Sequence, residues 1–433
     1  MNRFFIDCFP SLSFSIPIYP STLFVGDNSV MSQAITEELG NLIVESSQLL
    51  SQSQSQEAVD LLKEHSATFQ SHPVYLQSLG EALLENGDLN NAYEVLQRAC
   101  DLDPESRQGV EKFLYLGQIV GGEKGVELLQ TGVNRLLSDL DQLMKGVVSN
   151  NADDGLQLLF AAYKTPQGIR QYINQKLNQA IFAIIEIWMT DLCEEPQAES
   201  ECEKWIQKAL EVDPENPEAW SLLASIRISQ MKNEEAVKAI ERSWQLFREK
   251  KSRLEIASKD DNMSSKGESD ASDLQMAYIE MAEPILTLAK YAIEMGLFEN
   301  AALIAAAVQD INEQSVESFY LEGFSNYLNA KRIQNGISKD EGRQVSLDFT
   351  KFPLNAKVER SDPSYESISN ARNAFTGGFK LLQADSVLES TDKDVKKAVY
   401  HLLKELGGPA KSKSNADLDI DDNTWNSIVE SIE

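Results

Sequence analysis

The stretch from Val74 to Pro104, VYLQSLGEALLENGDLNNAYEVLQRACDLDP, constrains this chain more than any other. Leu76, Leu79, Gly80 and Leu83 fall at helical spacing and draw one apolar stripe. Gly87 breaks the pattern and permits a tight turn. Ala92, Leu96 and Ala99 begin a second stripe, and Pro104 closes that helix. The small residues Gly80, Ala92 and Ala99 let two antiparallel helices approach closely, while the leucines fill the space between them.

The pattern is that of the tetratricopeptide repeat (TPR), a helix pair with a period of about 34 residues. Its hallmark positions are filled, except that Leu76 and Leu83 replace the two usual aromatics of the first helix. The period recurs. Ala58 and Leu62 stand one repeat upstream, and Phe113, Leu116 and Gly117 repeat the first-helix spacing, with Gly121, Gly122 and Gly125 closing a shorter turn. Cys202, Ile206, Ala209 and Pro214 match the second helix, and Trp220, Leu223, Ala224, Ala236 and Ile240 follow one period later. Leu288, Ala289, Gly296, Ala301 and Ala305 resume it, with Gly296 in the place of Gly87. The expected fold is an all-α TPR superhelical solenoid whose concave groove is lined by the first helix of each pair.

The rest of the chain divides around these repeats. Residues 1–31 read as an unstructured leader, or as an upstream start not used in the cell; Asp7, Pro10, Pro17 and Pro20 interrupt the apolar core that a signal peptide needs. Residues 32–247 form N-terminal TPR-type repeats, the low-complexity SQSQSQ at 51–56 breaking the first, capping one. The polar run 248–274 reads as a flexible loop that buries too little apolar surface to order itself. Within it Arg248, Lys250, Lys251 and Arg253 resemble a short import signal, and more simply the solvated end of a helix. Residues 275–410 hold C-terminal TPR-like repeats, with a loop over 333–362 and last helices near 363–384 and 392–406. The acidic tail, 411–433, sets Trp425, Ile428, Val429 and Ile432 at helical spacing; it reads equally as a short recognition helix or as an unordered tail.

Composition narrows function by exclusion. There are 68 acidic and 39 basic residues, a formal charge of −29. Such a surface repels nucleic acid and anionic membranes and attracts basic protein partners. Cys8, Cys100, Cys193 and Cys202 show neither zinc spacing nor a disulfide framework. No phosphate loop, dinucleotide fingerprint, metalloprotease motif or nucleophile elbow is present, so we expect no catalytic residue, cofactor or metal.

The groove is therefore the expected site. Beside the apolar stripes of the first helices stand Gln77, Glu81 and Glu85, then Tyr115 and Gln118. Farther along are Trp188, Asp191, Glu194 and Glu195, and finally Tyr320, Phe324 and Tyr327. Acids interleaved with aromatics suit a client segment rich in Arg and Lys, although each aromatic alone fits core packing as well. The acidic lining also argues against a clamp for acidic heat-shock C-termini.

Three segments are more specific than the repeat demands: KFLYLGQIVGGEKGVELLQTGV, IEIWMTDLCEEPQAESECE and ENPEAWSLLASIRISQ. With DINEQSVESFYLEGF and the acidic C-terminus, they make most of 32–433 resemble the dedicated TPR assembly chaperones of large-ribosomal-subunit protein four. That resemblance implies a chaperone for a newly made basic ribosomal protein, shielding its long internal loop in a one-to-one complex. It further implies residence in cytoplasm and nucleus, with delivery to pre-60S particles. The alternative is a TPR scaffold subunit of a multiprotein complex.

Overall fold

A computed structural model of the chain describes residues 30–147, 154–163, 165–258, 268–339 and 347–410. No strand occurs among them. The leader to residue 29, residues 148–153, 164, 259–267 and 340–346, and the tail from 411 lie outside the described residues, with the readings made of them. The described chain forms two compact units that divide between Pro214 and Glu215, not at the 248–274 run where the sequence places its break.

The N-terminal unit begins with α1 (Val30–Ser51), α2 (Ser55–Glu64) and a single turn, α3 (Ser66–Phe69). The template pair follows as α4 (Pro73–Glu85) and α5 (Leu89–Leu102), then α6 (Glu111–Val120) and α7 (Gly122–Met144). The unit closes with α8 (Asp154–Tyr163), α9 (Pro166–Met189) and α10 (Ala198–Val212). Local chemistry sets the boundaries. Gly87 takes φ +76°, open to glycine at no steric cost. Asp88 then caps α5 by accepting from the Asn91 N–H, and Thr165 caps α9 ahead of Pro166. The predicted stripes become the core: Leu76, Leu79, Leu83, Ala92 and Ala99 are buried together with Ala58 and Leu62 of α2.

The close approaches are real. A Cβ added to Gly80 would lie 2.5 Å from Leu96 Cγ of the facing helix. At the next pair a Cβ on Gly117 would lie 2.9 Å from the Gly125 carbonyl oxygen. Gly125 is thus not a turn residue, as its neighbours Gly121 and Gly122 suggest, but a contact point inside α7.

The C-terminal unit comprises α11 (Pro217–Ser229), α12 (Asn233–Ser258), α13 (Glu268–Ile279), α14 (Ala282–Glu294), α15 (Phe298–Gln309) and α16 (Val316–Gln334). After a single 3-10 turn at Phe349–Lys351 come α17 (Tyr365–Leu381), α18 (Asp385–Ser390) and α19 (Lys393–Glu405). Asn216 caps α11 by accepting from the Glu218 and Ala219 N–H groups. One core gathers Ala224, Ala236, Ile240, Leu288, Ala289, Ala301 and Ala305. A second gathers Leu328, Phe375, Phe379, Val399 and Leu403.

The expected loop over 248–274 is helical up to Ser258 and again from Glu268. Its few apolar groups suffice when they have somewhere to go. Leu254 and Tyr278 pack on the first core, the Tyr278 hydroxyl donates to Glu255 at 3.2 Å, and Lys251 pairs with Asp310 at 2.6 Å. The candidate import signal therefore lies on a helix, with Lys250 also 3.9 Å from Glu218.

Candidate functional site

Polar side chains of α4, α6 and α9 meet in a buried ladder within the N-terminal unit. Gln77 donates from Nε2 to Glu111 Oε2 at 3.2 Å and accepts from the Lys112 backbone N–H at 3.3 Å. One turn along, the Tyr115 hydroxyl donates to Glu81 Oε1 at 2.6 Å. Both side-chain pairs are separated by 34 residues, so the repeat period itself brings them face to face. Glu111 also accepts from the Tyr172 hydroxyl, and Lys176 lies 3.9 Å away, its ammonium 5.9 Å from the Tyr172 ring centre. Beside the ladder Lys112 is fully buried, its Nζ 2.8 Å from Asp103 Oδ2.

Two buried carboxyls in this ladder behave oppositely. Burial alone would raise Glu111, but Lys176, Tyr172, its own backbone N–H and Lys112 together hold it below the ordinary range. Glu81 is pushed up to about 7, chiefly by burial, against the opposing pull of the Tyr115 hydroxyl and Lys176. The folded chain thus keeps a proton that the unfolded chain releases near 4.5, so stability falls as pH rises from about 4.5 to about 7. Glu81→Gln should remove that segment of the slope, leaving the variant more stable than the parent at pH 8 by up to about 3 kcal/mol. Urea unfolding at pH 5 and pH 8 checks this; parallel pH profiles for variant and parent would refute it.

The other expected groove residues fall into three settings. Glu85 is exposed and Gln118 half-buried, on the last turns of α4 and α6. Trp188 is buried at the end of α9, while Glu194 and Glu195 are exposed just after it. Asp191 is exposed but also accepts from the Gly122 N–H at 2.8 Å, so its carboxylate helps hold the start of α7. In the C-terminal unit Tyr320, Phe324 and Tyr327 stand in a row on α16. Tyr320 and Phe324 rings stack at 5.6 Å and Phe324 and Tyr327 at 6.4 Å. Tyr327 is buried, donates to Glu405 at 2.8 Å and carries the Lys331 ammonium 4.5 Å from its ring centre.

Glu186, Glu294 and Glu322 add half-buried carboxylates, each raised above its ordinary value first by burial. A carboxylate held this way gains from any cation brought beside it. Among the described residues no group of three or more His, Cys, Asp or Glu could hold a metal ion. The sequence reading missed Glu111, Lys112, Tyr172 and Lys176. For Glu111 the signal was available, since it lies one period beyond Gln77.

Comparisons with known proteins agree with this architecture. The profile of the ACL4 C-terminal domain matches residues 314–423, and a tetratricopeptide-repeat profile matches 74–106. A Schizosaccharomyces pombe protein described as a probable assembly chaperone of rpl4 is 29% identical over 285 residues, 64% of this chain and 69% of the relative. The chain is a tetratricopeptide-repeat protein that resembles the Acl4 chaperones. An Emericella nidulans protein of the same description is 30% identical over 234 residues, 51% of this chain and 52% of the relative. The solved structure of an assembly chaperone of RpL4 (Acl4, residues 1–338) superposes with a TM-score of 0.51 at 24% identity, covering 69% of this chain and 99% of that one. The fold is an all-α TPR solenoid.

Proposed function

We propose that this Acl4-like chain is a non-enzymatic chaperone for a newly made basic ribosomal protein, large-subunit protein four. The observation that carries the proposal is the 285-residue similarity to a relative described as an assembly chaperone of rpl4. Charge supports it: at −29 the chain is complementary to a polycation. The client's basic internal loop lies along the first helices, its Arg and Lys side chains against the exposed Glu85, Asp191, Glu194 and Glu195; Glu81, buried against Tyr115, stays behind that surface. The half-buried Gln118, Tyr320 and Phe324 offer amide and ring surfaces, whereas Tyr115, Trp188 and Tyr327 are buried and support the helices from within. One chaperone holds one client from the cytoplasm to nuclear pre-60S assembly, where denser negative charge on rRNA takes it over.

The test is co-expression with ribosomal protein four and capture across a salt series. The expected result is a one-to-one complex that weakens as salt rises. Glu85→Lys, Glu194→Lys and Glu195→Lys together, all at exposed positions, should weaken it by roughly tenfold or more at low salt. Asp191 is left intact because it also holds Gly122. Capture indifferent to salt and to these changes would move the binding face elsewhere. No capture by folded protein would leave the scaffold reading in its place.

A further inference from the structure

The connection from α16 to α17 is far longer than the few residues that join most helix pairs. Its second half is not a plain loop. Residues 352–358 run extended, and their burial alternates strictly. Phe352, Leu354, Ala356 and Val358 are half-buried against the second core, while Pro353, Asn355 and Lys357 between them are exposed. A period of two is that of a strand, yet no strand lies beside it among the described residues.

Side chains at the end of α16 hold this strap by its main chain. Gln334 Oε1 accepts from the Asn355 N–H at 2.8 Å, and Gln334 Nε2 donates to the Asn355 carbonyl at 2.9 Å. Asn335 donates to the Pro353 carbonyl at 3.1 Å, and Lys331 to the Thr350 carbonyl at 2.8 Å. In an extended segment the N–H and C=O of one residue point to one edge, those of its neighbours to the other. Asn355 therefore bonds through the edge that faces Gln334. On the opposite edge the main chain of Leu354 and Ala356 makes no hydrogen bond among the described residues. Both ends of the strap are anchored independently of it. Phe349 is buried with its ring 5.1 Å from that of Phe298, and Ser364 is buried at the start of α17. The strap can thus swing away without unwinding a helix. Main-chain bonds from one side and seats for every second side chain are how a protein takes up an extended peptide.

We propose that the end of α16 and the adjoining face of the second core form a site for an extended peptide, filled here in cis by residues 350–358. The partner it fits is an extended segment with apolar residues at alternate positions, which takes the site by displacing the strap. Charge is not what the site reads. Lys351 pairs with Asp348 at 3.0 Å, just ahead of the strap, and Lys357 is exposed. The site therefore differs in chemistry from the acidic residues offered to a basic client, and it does not depend on that reading.

The probe is a fluorescein-labelled peptide of residues 350–360, its binding to the full chain followed by fluorescence polarisation. The parent should bind it weakly, since its own strap fills the site and lowers the apparent affinity by the fraction of time it does so. Replacing residues 352–358 by glycine and serine should raise the affinity roughly tenfold or more. Asn355→Pro removes the N–H that Gln334 accepts and should raise it several-fold while the core stays covered. Gln334→Ala added to either variant should weaken binding by roughly fivefold. The proposal fails if both variants, shown to be folded by circular dichroism, bind no better than the parent. It fails equally if Gln334→Ala changes nothing, because the peptide would then be adhering to exposed apolar surface. No binding by the parent at any peptide concentration would make the strap a fixed part of the core and overturn its displacement.

Discussion

Asp103→Ala should destabilise the N-terminal unit by about 3–5 kcal/mol. The partner left behind is Lys112, whose side chain has no exposed surface and whose ammonium lies 2.8 Å from Asp103 Oδ2. Only the Gln108 and Gly109 carbonyls would then remain to it among the bonds it now makes. Asp103 also accepts from the Arg107 N–H at 2.9 Å and the Gln108 N–H at 2.8 Å, so the α5–α6 connection loses its anchor with the charge. For a unit of this size the loss corresponds to a fall of roughly 10 °C in melting temperature. Adding Lys112→Met should restore half or more of it, since an apolar side chain of similar length needs no counter-ion. Circular dichroism melts of the parent, single and double variants decide the matter. A single variant within about 1 kcal/mol of the parent would mean that the buried pair holds nothing together.

Gly125→Ala carries the second large effect. A Cβ there runs into the Gly117 carbonyl oxygen, and one on Gly117 meets the Gly125 carbonyl oxygen at 2.9 Å. Backbone faces backbone, so no side-chain rotation relieves the clash and α6 must move away from α7. The expected cost is about 3 kcal/mol or more, despite the roughly 1 kcal/mol that alanine gains over glycine within a helix. Gly80→Ala makes the informative comparison. Its added methyl meets the Leu96 side chain at 2.5 Å, and that side chain can change rotamer. Urea midpoints should therefore rank Gly125→Ala well below Gly80→Ala. The opposite order would show that the α4–α5 crossing, not α6–α7, is the tighter one.

What the sequence made legible was what its period encodes. Leu76, Ala92 and Ala99 announce their burial through helical spacing, and Gly87 and Gly296 announce their turns through a backbone angle that glycine tolerates. Gly125 was misleading because a glycine in a turn and a glycine at a helix crossing look alike in a row of letters. The helical course of 248–258 was hidden for another reason. Part of its support is Asp310, 59 residues beyond Lys251, and no local composition rule can see such a partner. Tyr172 meets Glu111 across 61 residues, a separation that fits no multiple of the repeat. Among the expected groove residues, periodicity gave the helix face but not the depth. Tyr115 and Glu81 share a face and are buried against each other, whereas Glu85, one turn beyond Glu81, is exposed.

The ladder through Gln77, Glu81, Glu111, Tyr115 and Tyr172 also bears on how the N-terminal unit comes apart. Repeat arrays joined by apolar contact alone peel from their ends, each repeat opening nearly independently of the next. Here the opening of one helix pair would strand a buried carboxylate or hydroxyl on its neighbour, at a cost of about 1–3 kcal/mol for each group left unsatisfied. That penalty couples adjacent repeats and suppresses partly frayed forms. The span from α4 to α9 is thus driven toward all-or-none melting, a cooperative block in an architecture that otherwise unravels piecemeal.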